Sequence, residues 1–76
     1  MIEKDKYWQM YAEVWNNLHK KFIDKIDGTD AFWQEVRDTA SQISKKYGEC
    51  DFIVKLVLNE LFEFEKIWKL QEKASG

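Results

Sequence analysis

Seventy-six residues, 45% hydrophobic and 34% charged, make one domain at most and exclude a disordered tail. The net charge is -2, and Arg37 is the one arginine among twelve basic residues, a balance that argues against a protein reading nucleic-acid sequence. At this size folding removes only about 60% of the unfolded chain's surface from water, so burial against a second molecule adds needed stability.

The sequence contains no proline, and its interior glycines are Gly28 and Gly48. These cut the chain into three predicted helices, 5–27, 30–47 and 51–73, giving an all-α three-helix bundle in a single domain, 1–76. Gly28 suits the left-handed end of the first helix, and Thr29 or Asp30 suits the cap of the second. Lys45 and Lys46 complement a helix C-terminus before Gly48, and Asp51 is placed to cap the third helix. The short connections make successive helices antiparallel neighbours.

In the first predicted helix Tyr7, Trp8, Tyr11, Val14, Trp15, Leu18, Phe22, Ile23 and Ile26 share an arc of about 180°, with Glu13, Asn17, Lys20 and Asp24 opposite. The second presents a narrow arc of about 100°, made of Phe32, Trp33, Val36, Ala40, Ile43 and Tyr47. The third spreads its apolar residues over about 240°, broken by Glu60 and Glu65, more than two neighbours cover. It is therefore expected to be central. Its flank, Val54, Leu58 and Phe62 with Phe64 and Trp68, is predicted to meet a second copy, giving a homo-oligomer such as a dimer, or a partner helix.

Sites for chemistry are sparse. His19 is the only histidine and Cys50 the only cysteine. They form no metal-binding spacing and no recognisable nucleophile–base set, so no cofactor, metal or enzymatic activity is expected. His19 reads as a packing residue at the edge of the apolar arc, and Cys50 as a partly buried thiol in acidic company. Glu60, if buried, calls for a partner such as a lysine or the hydroxyl of Tyr7 or Tyr11. Glu63 and Glu65 read as a salt-paired surface with Lys66 and Lys69. Trp8, Tyr11, Trp15 and Phe22 follow core spacing rather than a base-stacking platform, which argues further against nucleic acid. No apolar run approaches the roughly 18 residues that span a bilayer, and the start MIEKDKYW lacks an export signal's basic and apolar regions, so a cytoplasmic location is expected.

The blocks YWQMYAEVWNNLHKKF, DAFWQEVRDTASQISKKYG and FIVKLVLNELFEFEKIWK resemble small uncharacterised helical proteins of Gram-positive bacteria and their mobile elements. The resemblance implies a short all-helical cytoplasmic protein, an accessory of a phage or plasmid, and carries over no functional residue. Two functions follow as expectations. The first is a protein-interaction module working through the third helix. The second is an accessory inhibitor that covers a basic protein surface with an acidic face of Asp24, Asp27, Asp30, Glu35 and Asp38.

Overall fold

A computed structural model describes residues 4–75, and within them the chain is three helices without a strand. Helix α1 runs through an α-helical stretch Lys4–Val14, a π-helical turn Trp15–His19 and a last α-helical turn Lys20–Phe22. Helix α2 covers Asp30–Lys46 and helix α3 Asp51–Ser75. Each packs against the other two, in a bundle with extents of 49 × 19 × 18 Å.

Helix α1 ends at Phe22, short of the expected residue 27. The chain leaves the helix so that Ile26 can drop into the core, and it then turns at Gly28, whose φ is +73°. Gly28 lies close against the Trp68 indole, and a Cβ there would come well inside van der Waals contact with Trp68 Cζ2. Asp27 Oδ1 then accepts from the Thr29 N–H at 3.0 Å and from its hydroxyl at 2.8 Å. Thr29 Oγ1 in turn accepts from the Phe32 N–H at 3.1 Å, which makes Thr29 the cap of α2. These two bonds from Thr29 hold the Asp27 carboxyl below its ordinary pKa.

The second connection is shorter. Gly48 at φ +71° and Glu49 at φ +54° both adopt left-handed backbone, while their N–H groups donate to the carbonyls of Lys45 and Ser44. Asp51 is the first helical residue of α3 rather than its cap, and its carboxylate pairs with Lys55 at 2.9 Å.

The core is drawn from all three helices. Helix α2 buries Phe32, Val36, Ala40 and Ile43 and leaves Trp33 and Tyr47 half-buried, the narrow arc expected of it. Helix α3 buries Ile53, Val57 and Phe64. Helix α1 contributes Met10, Val14, Leu18 and Phe22, followed by Ile26 from the connection. Edge-to-face contact between Phe22 and Phe32, centroids 5.9 Å apart, joins α1 to α2.

The residues that α1 buries recur every four positions from Met10 to Phe22. In a regular α-helix a step of four overshoots one turn by about 40°, so three steps would carry the seam about 120° around the helix. The π turn holds an extra residue, with the Lys20 N–H donating to the Trp15 carbonyl five residues back. That widening takes up the overshoot and keeps Leu18 and Phe22 in line with Met10 and Val14. The expected core arc is overturned in this half of the helix. Met10, not assigned to the core from sequence, is 1% exposed, whereas Tyr7, Trp8, Tyr11 and Trp15 lie outside.

Candidate interaction surface

The largest rings of α1 therefore point to solvent. Trp8 is 72% exposed, Tyr11 51% and Trp15 54%. They line an open groove of about 540 Å³ together with Ala12 and Asn16. On the other side of Trp8, Ala12 and Asn16 lies a larger open groove of about 870 Å³, which extends to Lys46, Tyr47 and Cys50. Trp8 and Ala12 thus stand on the divide between two furrows and, with Tyr11 and Trp15 beside them, make up the α1 ridge, the relief that helix-on-helix packing fills.

The ring stripe is anchored on both flanks. Towards α3, the Tyr7 and Tyr11 rings meet Phe52 edge-on, with centroids 4.7 and 5.3 Å apart. Trp15 stacks on the His19 imidazole at 4.4 Å and 9° between planes. His19 Nδ1 stands 2.8 Å from Glu60 Oε2, where the carboxylate accepts a ring N–H. Glu60 therefore finds its partner in His19, rather than in the lysine or tyrosine hydroxyl expected from sequence. Towards α2, Glu13 sits mostly buried and accepts from Lys46 Nζ at 2.6 Å, from the Tyr47 hydroxyl at 3.4 Å and from the Asn17 amide. The Lys46 ammonium holds the Glu13 carboxyl below its ordinary pKa, and Glu13 in turn raises that of Lys46. Burial, reinforced by the Glu13 charge, raises the Tyr47 phenol.

The residues predicted to form an interface on α3 divide. Leu58 and Phe62 are exposed, at 42% and 64%. Val54 is half-buried against the core. Phe64 is wholly buried within the chain's own core, and Trp68 packs half-buried on that core and over Gly28, so these two serve the bundle rather than an outside partner. The physical reason is angular: Phe64 and Trp68 lie about 120° and 160° around the helix from Phe52, on the side where Ile53 and Val57 meet the core, and Leu58 and Phe62 lie beyond it.

Cys50 is half-buried with its Sγ 3.9 Å from Met10 Sδ. Among the described residues no group of three or more His, Cys, Asp or Glu side chains converges, and no helix is long and apolar enough to cross a membrane. On α3, Lys66 pairs with Glu63 at 3.6 Å and Lys69 with Glu65 at 3.3 Å, as their spacing predicts. Comparison with protein-family models, with curated proteins and with solved structures returns no match to this chain.

Sequence reasoning missed the aromatic surface because Trp8, Tyr11 and Trp15 carry the three- and four-residue spacing of a buried seam. The signal that would have found it is the competing series Met10, Val14, Leu18, Phe22 and Ile26, spaced by four throughout.

Proposed function

We propose that this protein is a small helical interaction module that docks on another helical surface through the α1 ridge of Trp8, Tyr11 and Trp15. One observation carries the reading: three large rings stand more than half exposed on one stripe of one helix. Tryptophan and tyrosine dominate the energetics of interfaces, and the largest contiguous apolar patch of a small protein is often its functional one. The third helix, the docking element expected from sequence, keeps Leu58 and Phe62 as a second and smaller apolar face. Catalysis has no part in this reading.

The reading that makes the protein an inhibitor of a basic surface is less supported. Asp24, Asp27, Asp30, Glu35 and Asp38 are all exposed, but Asp27 is engaged by Thr29 and Asp38 by Gln34.

The test replaces both rings at the ends of the ridge. A Trp8→Lys/Trp15→Lys variant, held at micromolar dilution, is expected to keep its helical circular dichroism and to lose no more than about 1.5 kcal/mol in urea denaturation, the scale of the lost Trp15–His19 stack. Outright unfolding of this variant would return the rings to a role in the fold and remove the reading.

A further inference from the structure

We infer that the occupant of the α1 ridge is a second copy of this chain, crossing antiparallel about a two-fold axis between Tyr11 and Ala12. This rests on the ridge being a docking surface and adds the partner.

Charge selects the occupant. In a chain that is 34% charged, the stretch from Tyr7 to His19 holds Glu13 as its one acidic residue and no lysine or arginine. Glu13 is turned inward to Lys46 and Tyr47, and His19 faces Glu60. A nucleic acid or an anionic membrane needs a row of cations along the rings, where the furrow beside Trp8 offers only Lys6 and a Lys46 already paired with Glu13, and a charged protein surface needs charges to match its own. A second copy brings the same ring stripe, without lysine or arginine from Tyr7 to His19, and needs neither. Two chains of net charge -2 meet with least repulsion there, and depletion of charge with enrichment in Trp and Tyr is the composition of an interface core.

The spacing is self-complementary. Three positions separate Trp8 from Tyr11, and three separate Ala12 from Trp15. An antiparallel two-fold crossing then sets Trp8 against Trp15 of the partner subunit and Tyr11 against Ala12 of the partner subunit. The large ring meets the small residue twice, as a symmetric interface requires of residues that exchange places. Ala12 also lets the two backbones approach, and the furrows on either side of the ridge receive the partner's rings.

The available area sets the strength. The exposed parts of Tyr7, Trp8, Tyr11 and Trp15 amount to on the order of 400 Å² per copy, taking about 150–250 Å² for each aromatic side chain. With the furrow walls the pair buries about 1,000 Å² in total, the lower limit for a specific interface. The dimer is therefore expected to be reversible, with a dissociation constant in the micromolar range.

Sedimentation equilibrium from micromolar to millimolar concentration tests this, together with oxidative cross-linking in a Cys50→Ser background. The expected results are a reversible monomer–dimer equilibrium, weakening by at least about 30-fold in Trp8→Lys, and a covalent dimer from Ala12→Cys but not from Leu58→Cys. A wild-type chain that stays monomeric to millimolar concentration overturns the inference. So does a dimer indifferent to Trp8→Lys, or one that cross-links through Leu58→Cys and not through Ala12→Cys. The double-lysine folding experiment at dilution is independent of these outcomes, so a monomeric wild type whose rings prove dispensable for folding would leave the ridge as a docking surface for a different protein.

Discussion

Helices α1 and α3 both carry more apolar circumference than a narrow bundle can hide, yet they dispose of the excess differently. In α3 the inward residues Ile53, Val57, Glu60, Phe64 and Ile67 follow alternating steps of four and three, which a regular α-helix keeps on one side. Most of its arc is absorbed by α1 on one flank and α2 on the other, leaving Leu58, Phe62 and, nearer the C-terminal end, Leu70. In α1 the inward residues step by four and the π turn restores their phase, so the rings at Trp8, Tyr11 and Trp15 are left outside. The lesson is that an apolar arc measured on an ideal wheel does not say which part of it will be buried. The phase of the helix against its neighbours decides that.

Single-residue deletions break or sharpen this contrast most strongly. Removing Asn16 from the π turn should convert it to regular α-helix and leave the core seam at steps of four, three and four, so the deletion variant is expected to fold. Removing Glu63 from the regular α3 should rotate Phe64 and everything after it by about 100° and abolish folding. Circular dichroism and cooperative urea unfolding of the two variants check both outcomes. Loss of folding in the Asn16 deletion and tolerance of the Glu63 deletion would reverse the assignment.

The two interior glycines provide the next largest effect. Both have positive φ, but a Cβ at Gly48 would meet open space, whereas one at Gly28 would collide with Trp68. Gly48→Ala is expected to cost about 1–2 kcal/mol from backbone strain alone. Gly28→Ala should cost a further 1–3 kcal/mol, roughly, for the displaced indole. A double-mutant cycle with Trp68→Ala, read by chemical denaturation, should show coupling at Gly28 and none at Gly48.

The smallest effect concerns the polar flank of α1. Because Lys46 lowers the Glu13 pKa in the folded chain, the pair stabilises the fold above about pH 4.3, the ordinary value of a glutamate, and this is lost as pH falls through the lowered value. Glu13→Gln should therefore be less stable than the wild type near neutrality by about 1 kcal/mol, with Lys46 largely solvated. The gap should narrow as the solution is acidified below that pH. Denaturation midpoints of both proteins across the acid range check the sign.

Much of the fold was legible in the sequence. Gly28 and Gly48 marked both turns, Thr29 was a candidate cap, and the polar residues of α2 from Gln34 to Lys45 left one narrow arc to bury. Leu58 and Phe62 were legible as exposed because they lie on the far side of α3 from its core residues. The early end of α1, the pairing of His19 with Glu60 and that of Glu13 with Lys46 were not, since each depends on residues more than thirty positions apart or on where Ile26 and Trp68 come to rest.

Composition, glycine placement and hydropathy by themselves determined three helices, their order and the face of α2, because these follow from local backbone preference and from the 3.6-residue repeat. Only the tertiary structure decided which seam of α1 turned inward. Two apolar series, Met10–Val14–Leu18–Phe22 and Trp8–Tyr11–Trp15, compete on that helix, and the series that turned inward is the one whose steps of four the π turn keeps in phase with the faces of α2 and α3.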